Sequence, residues 1–349
     1  MKRDLTIDDV EAAVMGGAIL GGGGGGFAEA GLREARLALQ FGTPQLWSVD
    51  EFDPDELTVT VALVGAPGAP NPFLQPRHHL RCLELLQRDL PPGRRLAAIN
   101  PNENGAQTSV NGWFHAALSG LPVIDLACNG RAHPSSQMGA LGLHAEPDYL
   151  SVQGFAGGRP ETYVEGSVSG RLDATSGVVR RASVDAGGLV TVARNPVSVD
   201  YARRNGAPGA ISAAIALGRA WLDGGMEGAV AHLGGSVMAQ GKVRGYRCEQ
   251  REGLDIGLVE IEDGTTLHFI NEYMVAERNG TRHSRFPDLI TTFDEEGRPL
   301  ASAHVREGQE ITVTHVPASG LLLSRTMAMP ELFRPLEDAI GRSFAPDTA

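Results

Sequence analysis

Six consecutive glycines at residues 21–26 constrain this chain more than any other feature. Glycine loses more backbone freedom on folding than any other residue, so an ordered run of six is costly. Apolar residues at helical spacing precede the run from about residue 7 and follow it over about residues 28–40. The pattern predicts two helices joined by a loop of bare backbone that approaches a ligand at the start of the second helix. We expect the loop to contact substrate through Gly22, Gly23, Gly24 and Gly25.

Other interpretations of the glycine run are weaker or structural. The run contains the dinucleotide pattern GxGxxG, but it would follow a helix rather than a strand. No Gly-Lys-Ser or Gly-Lys-Thr follows it, so it is not a P-loop. A mobile connector or a close helix crossing is the remaining alternative.

The charge balance argues against a nucleic-acid partner. The 349 residues include 42 acidic and 30 basic side chains, for a net charge of -12, and no basic stripe is present. The cysteines Cys82, Cys128 and Cys248 are far apart and form no CxxC pair, which indicates a reducing compartment. No stretch approaches about 18 uninterrupted apolar residues. We expect a cytoplasmic protein that binds a small molecule, has no membrane partner and forms a homo-oligomer.

Strands alternate with helices in the first part of the chain, which predicts parallel βαβ units with right-handed crossovers. After about residue 148 the texture changes to short alternating runs, one helix near residues 210–222 and several hairpin turns. The predicted fold class is therefore α/β. It combines a parallel-sheet domain at residues 1–150 with a mainly β domain, containing one inserted helix, at residues 151–349.

Polar residues follow the predicted parallel strands, where ligands bind in such sheets. The loop after the first strand supplies Ala66. The loop after the second supplies Glu103 as an acid or base, with Asn102 and Asn104 as amide donors. A plain Asx turn explains the two asparagines equally well.

The loop after the third strand holds three reactive side chains, each with a structural alternative. Asp125 is a candidate general base or metal ligand, or a helix-capping carboxylate. Cys128 is a candidate nucleophile, or a buried small hydrophobic residue. Arg131 is a candidate anion clamp, or a salt bridge that holds the loop.

The same loop offers a substrate contact and a metal ligand. Asn129 is close enough in sequence to Arg131 to contact the same substrate. His133 and Asp125 are candidate ligands for a divalent metal such as zinc, although their spacing matches no standard zinc motif. A simple loop histidine is the alternative.

Six ordered segments resemble the S-methyl thiohydantoin desulfurase family of bacteria and archaea. The resemblance runs from about residue 10 to about residue 330 and implies hydrolytic removal of sulfur from a five-membered thiohydantoin ring, with a cyclic amide or thioamide as substrate class. The segments are GGAILGGGGGGF, GLPVIDLACNGRAHPSSQM, ISAAIALGRAWL, QGKV, FINEYMVAERNG and PDLI.

This chain departs from the family pattern at five positions. Gly22 stands where the family usually has threonine, Ala127 where it has aspartate and Asn129 where it has methionine. His133 replaces a phenylalanine and Ser135 an acidic residue. Two interpretations therefore stay open: a hydrolase of a cyclic amide or thioamide, and a non-catalytic relative that binds a small molecule or has a regulatory role.

Overall fold

The helices and strands come from a computed structural model that describes residues 1–65, 72–251 and 254–343. The α-helices are α1 Ile7–Gly21, α2 Ala28–Phe41, α3 Pro76–Arg88, α4 Trp113–Ser119, α5 Leu172–Asp185, α6 Val199–Asn205, α7 Ala210–His232 and α8 Arg334–Ile340. The strands are β1 Lys2–Asp4, β2 Gln45–Trp47, β3 Leu57–Gly65, β4 Leu96–Pro101, β5 Val123–Ile124, β6 Leu126–Ala127, β7 Ser151–Gly157, β8 Val164–Gly170, β9 Leu189–Ser198, β10 Ala207–Pro208, β11 Ser236–Arg251, β12 Leu254–Ile261, β13 Thr265–Ile270, β14 Glu272–Arg278, β15 Thr281–Arg285, β16 Leu289–Phe293, β17 Pro299–Leu300 and β18 Glu310–Val316.

The first sheet has the strand order β1-β2-β5-β4-β3-β9-β7-β8. Its centre, β2-β5-β4-β3, is parallel, which confirms the predicted α/β class. Successive parallel strands need crossover helices, and α3 and α4 supply them. Val59, Val61 and Ile99 from the strands pack with Leu86 and Trp113 from these helices in one fully buried core.

The first sheet extends beyond the domain boundary predicted at residue 150. Strands β7, β8 and β9 pair with its parallel part through β3, which lies antiparallel to β9. Thr60 on β3 stands opposite Arg194 on β9, and Arg194 stands opposite Gln153 on β7. The alternating pattern of residues 151–198 predicts β-strands but carries no information on which strands pair. The sequence therefore predicts that these residues belong to the second, mainly β domain.

The second sheet is antiparallel, with the order β15-β14-β13-β12-β11-β18-β16-β17, and confirms the predicted mainly β region. Helix α7 precedes it and packs closely on α1. A Cβ atom added at Gly16 of α1 would lie 1.8 Å from the carbonyl oxygen of Ala214 on α7. The glycines inside α1 therefore permit the close helix crossing. Across the parts of the chain that the structure describes, no helix is long and apolar enough to cross a membrane.

Candidate active site

A cavity of about 570 Å³ lies where the glycine loop meets the ends of β3 and β4 and the β13–β14 hairpin. The loop at residues 23–26 forms part of its wall, and this part includes Gly23, Gly24 and Gly25, three of the predicted substrate contacts. Gly65, at the end of β3, lines the cavity as well; its neighbour Ala66, a predicted contact, lies outside the described residues. The cavity wall therefore contains residues from both sheets, although these residues are far apart in the sequence.

The glycine loop needs glycine for backbone conformation and for close approach. Gly22 ends α1 with φ 54°, and Gly23 and Gly25 have φ values of 97° and 75°, a region that favours glycine. The carbonyl of Gly22 accepts a hydrogen bond from Tyr273 N at 2.7 Å, and that of Gly23 accepts one from Ser302 N at 2.9 Å. The loop is thus fastened to the second sheet. Gly22 itself serves as the helix cap and is not part of the cavity wall.

Glu103 follows β4 and faces the cavity with 6% of its surface exposed. Its Oε2 atom accepts a hydrogen bond from the backbone N–H of His133 at 3.1 Å. Burial raises the pKa of Glu103 to about 7, while that hydrogen bond and the charge of Arg194 pull it down. A carboxyl group with this pKa is half ionised near neutral pH and suits general base catalysis.

His133 also lines the cavity, and its Nε2 atom lies 3.2 Å from Glu103 Oε2. The approach does not have hydrogen-bond geometry, and both ring nitrogens are buried without a hydrogen-bond partner in the described structure. Burial and the charge of Arg194 lower the pKa of His133 to about 4. The imidazole is therefore neutral at neutral pH and adds no positive charge beside Glu103.

Glu272 is a second buried carboxyl group on the cavity wall, at the start of β14. Its Oε2 atom has no hydrogen-bond partner among the described residues. Burial, followed by repulsion from the Glu103 charge, raises the pKa of Glu272 well above its ordinary value. Two nearby carboxyl groups with separated pKa values are a recurrent acid–base arrangement. The shifts allow Glu272 to hold a proton while Glu103 is ionised.

Arg131 supports this pair from behind the glycine loop. It is fully buried, and its Nη1 atom donates to the carbonyl oxygens of Pro287, at 3.0 Å, and Asp288. A Cβ atom added at Gly22 would lie 3.0 Å from its Nη2 atom. Burial lowers the pKa of Arg131 to about 10, against the charge of Glu272. Arg131 does not line the cavity as an anion clamp would, and among the described residues it anchors the loop through backbone carbonyls rather than through the predicted salt bridge.

Asp125 is engaged in a structural contact away from the cavity wall. Its Oδ1 atom accepts hydrogen bonds from the backbone N–H groups of Ile211, at 3.1 Å, and Ser212, at 3.0 Å. Its Oδ2 atom accepts one from the Ser212 hydroxyl at 2.6 Å. This is the helix-capping alternative, satisfied at the start of α7. Asp125 and His133 are not brought together at the cavity. Within the described ranges, no group of three or more His, Cys, Asp or Glu side chains is arranged to hold a metal ion.

Cys128 is fully buried in the core below the cavity. Its Sγ atom lies 3.2 Å from Thr60 Oγ1 and 3.4 Å from Asn100 Nδ2. Burial raises the pKa of its thiol to about 11, so the nucleophilic thiolate does not form near neutral pH. The structure places Cys128 as a buried packing residue, which was the alternative to a nucleophile.

The three candidate asparagines have different roles. Asn102 lines the cavity, and its Oδ1 atom accepts a hydrogen bond from Asn111. Asn104 is buried and donates to the carbonyls of Gly130 and Ala210, so it joins two loops. Asn129 is also fully buried: its side chain donates to the carbonyl of Arg131 and accepts from Ser324 N, which fixes the loop internally. Only Asn102 of the three meets the cavity wall.

Two further charged residues act at this site: the sequence predicts either a substrate contact or a turn role for Glu272 of the predicted hairpin, and it assigns none to Arg194. Glu272 interrupts the apolar run FINEYM, and Arg194 interrupts VTVARNPV. A charged residue inside a strand that is otherwise apolar was the available signal, because such a residue is rarely buried without a role. Arg194 is 7% exposed, and its charge acts on Glu103, Cys128 and His133.

Comparison with known families and structures gives a consistent result. The family models described as S-Me-THD-like, N-terminal domain and S-Me-THD-like, C-terminal domain match residues 8–153 and 172–333. A crystal structure of a protein from Chromobacterium violaceum is 22% identical, with 99% of each chain covered and a TM-score of 0.76, and shows the same fold. The comparison with curated proteins finds no match.

Proposed function

This chain belongs to the S-Me-THD-like family, and on that premise we propose that it is a hydrolase of a five-membered cyclic amide or thioamide. The proposed substrate type is an S-methyl thiohydantoin, which water would convert into a hydantoin and methanethiol. The observation that carries the proposal is the pair of buried carboxyl groups, Glu103 and Glu272, on one cavity wall.

In the first step, Glu103 removes a proton from water while the water oxygen bonds to the ring carbon that carries sulfur. The C=N electrons move to the ring nitrogen, which takes the proton of Glu272. In the second step the carbon–sulfur bond breaks as the hydroxyl becomes a carbonyl. Glu103 returns its proton to the departing sulfur, and the hydroxyl proton goes back to Glu272. Both carboxyl groups end in their starting protonation states.

The neighbouring residues support the assignment of these roles. Because His133 is neutral, it does not hold Glu103 in the ionised form, and Glu103 can take up and release a proton during the reaction. The bare backbone of Gly24 allows the Glu272 side chain to lie against it, since a Cβ atom there would come within 1.9 Å of Glu272 Oε1. The poorly solvated wall strengthens the interaction of each carboxyl group with developing charge.

The alternative is a non-catalytic binding protein, suggested by the departures at Ala127 and Ser135. The Ala127 side chain packs with Ala207 and Ala210 in the core. The Ser135 hydroxyl accepts a hydrogen bond from Met138 N. Neither residue lines the cavity, so these replacements leave the carboxyl pair in place. The hydrolase is therefore the better supported of the two.

The test is turnover of S-methyl thiohydantoins, with methanethiol detected by a thiol reagent and the hydantoin by mass spectrometry. We expect Glu103→Gln and Glu272→Gln each to lower kcat by about 100-fold or more, as for loss of a general acid or base. Glu34→Gln is the matched control, because Glu34 is a third carboxyl group on the wall and its pKa is also raised to about 7 by burial. Binding of hydantoins without turnover of any S-methyl thiohydantoin would establish the binding protein instead.

A further inference from the structure

The cavity is much larger than the ring on which the proposed reaction occurs. Its volume of about 570 Å³ falls in the range of roughly 300–1,000 Å³ typical of pockets for drug-sized ligands. A hydantoin ring with its two exocyclic atoms fills a small part of that space. The rest of the wall therefore has to accommodate another part of the substrate.

One part of the wall is apolar. Leu63 of β3 and Leu189 of β9 both line the cavity; a Cβ atom added at Gly65, the β3 partner of Leu189, would lie 3.0 Å from the Leu189 side chain. Phe114 of α4 lines it too and is stacked on His79, with ring centroids 5.0 Å apart. Burial lowers the pKa of His79 to about 3, so this ring is uncharged as well.

The ionisable side chains on the wall are mostly carboxyl groups. Glu34 and Asp255 join the pair Glu103 and Glu272, and Arg33, the arginine among the described wall residues, is exposed. An anionic substituent would meet like charges in a partly desolvated space, which is costly. A neutral apolar substituent avoids that cost and gains by leaving water.

We propose that the substrate ring carries a large apolar substituent, aromatic or branched aliphatic, that lies against Leu63, Phe114 and Leu189. The inference rests on the proposed function for the identity of the ring, and on the cavity wall for the substituent. In chemical terms the substrate class is the thiohydantoin of an apolar amino acid such as phenylalanine or leucine.

The experiment measures binding, by isothermal titration calorimetry, of hydantoins that lack the sulfur and so report affinity separately from turnover. The series comprises the hydantoins of glycine, alanine, leucine, phenylalanine, glutamate and lysine. We expect the phenylalanine and leucine hydantoins to bind about 10-fold or more tightly than the alanine hydantoin, because each buried apolar group adds to affinity. The glutamate hydantoin should bind no better than the glycine one.

Two variants locate the substituent on the wall. Leu63→Ala should weaken binding of the phenylalanine hydantoin by about 10-fold and leave the glycine hydantoin unchanged. Val64→Ala is the matched control, because Val64 follows on the same strand, faces the opposite side of the sheet and packs against the cluster that contains Phe155 and Val179. Leu189→Ala repeats the test from the neighbouring strand, in case the first variant folds poorly.

The outcomes separate the two proposals. Equal affinity across the series, or tightest binding of the lysine or glutamate hydantoin, overturns the proposal of an apolar substituent. Turnover of the glycine-derived S-methyl thiohydantoin would in that case still support the proposed hydrolase. Absence of both binding and turnover for every ring overturns the proposed function and the inference with it.

Discussion

The chain leaves the same edge of the first sheet after the parallel strands β4 and β5, and an acidic residue lies close to each strand end. Asp125 has three hydrogen bonds and caps α7. Glu103, by contrast, has one backbone hydrogen bond, a raised pKa and a face on the cavity. The difference teaches that position at a strand end does not decide a carboxylate's role. The number of hydrogen bonds that the carboxylate accepts is the better guide, because a carboxylate with all its acceptor positions occupied cannot readily take a proton from a ligand.

The largest effect on stability is expected at Asp125. Asp125→Ala should lower the free energy of unfolding by about 2–3 kcal/mol, because it removes a buried charged cap from two N–H groups and a hydroxyl. Urea denaturation measures the loss, and Asp173→Ala, at an exposed acid in the first turn of α5, is the control. The rate per folded molecule should stay close to that of the natural protein. A stable but inactive Asp125→Ala protein would break the comparison.

The pH dependence of stability sharpens the comparison from the side of Glu103. Its pKa is about 7 in the folded protein, against an ordinary value of 4.5. The folded state therefore binds more protons between these values, and Glu103 makes stability fall as pH rises from about 4.5 to about 7. Glu103→Gln should remove this contribution, about 2 kcal/mol. The free energy of unfolding of the variant, relative to that of the natural protein, should therefore rise as the pH increases from about 4.5 to about 7.

Urea denaturation of both proteins at about pH 5 and about pH 8 measures this gain. The pKa of Glu34 is also raised to about 7, but Glu34 is present in both proteins and cancels in the difference. A difference that is the same at the two pH values would mean that Glu103 is ionised throughout, like an ordinary exposed carboxylate.

Two glycines, Gly24 in the glycine loop and Gly16 in α1, extend the comparison to the N-terminal region. A Cβ atom at Gly24 would lie 1.9 Å from Glu272 Oε1, the end of a side chain. Gly24→Ala should therefore displace Glu272 and lower kcat by about 10-fold, with a stability loss of about 1 kcal/mol or less. Gly16→Ala meets the backbone of α7 instead and should cost about 2 kcal/mol of stability without a specific effect on kcat. Equal losses of stability and rate in both variants would show that Gly24, like Gly16, has only a structural role.

The smallest effect is expected at Cys128. Iodoacetamide should modify the exposed Cys248 in the native protein and leave the buried Cys82 and Cys128 intact, because buried thiols are both inaccessible and protonated. Peptide mass mapping identifies the modified residue, and turnover before and after treatment should agree. Loss of turnover together with modification of Cys128 would support Cys128 as a nucleophile. The loop after β5 would then also take part in the reaction.

The sequence predicted the parts of this protein that depend on local pattern. Alternation and helix spacing identified the parallel centre of the first sheet, and the glycine run identified a loop that lines the cavity. Glu103, Asn102 and His133 were placed at one sheet edge by the rule for parallel strands, and all three line the cavity.

The remainder depended on pairings between distant segments. The hairpin that contributes Glu272 has no sequence signal for its proximity to Glu103, and β9 gives no sign that it pairs with β3. Asp125 and Cys128 look reactive by residue type alone. Their roles became evident only from their partners, the start of α7 and the Thr60–Asn100 pair.

The fastening of the glycine loop to Tyr273 and Ser302 has a consequence for how the protein is made. A ribosome synthesises the first sheet and its strand-end loops well before β14 emerges, so a nascent chain holds Glu103 long before it holds Glu272. Contacts of such large sequence separation form late because they must close a long stretch of chain. The two carboxyl groups therefore come together only when the second sheet docks, and a truncated or half-folded chain lacks the proposed acid–base pair.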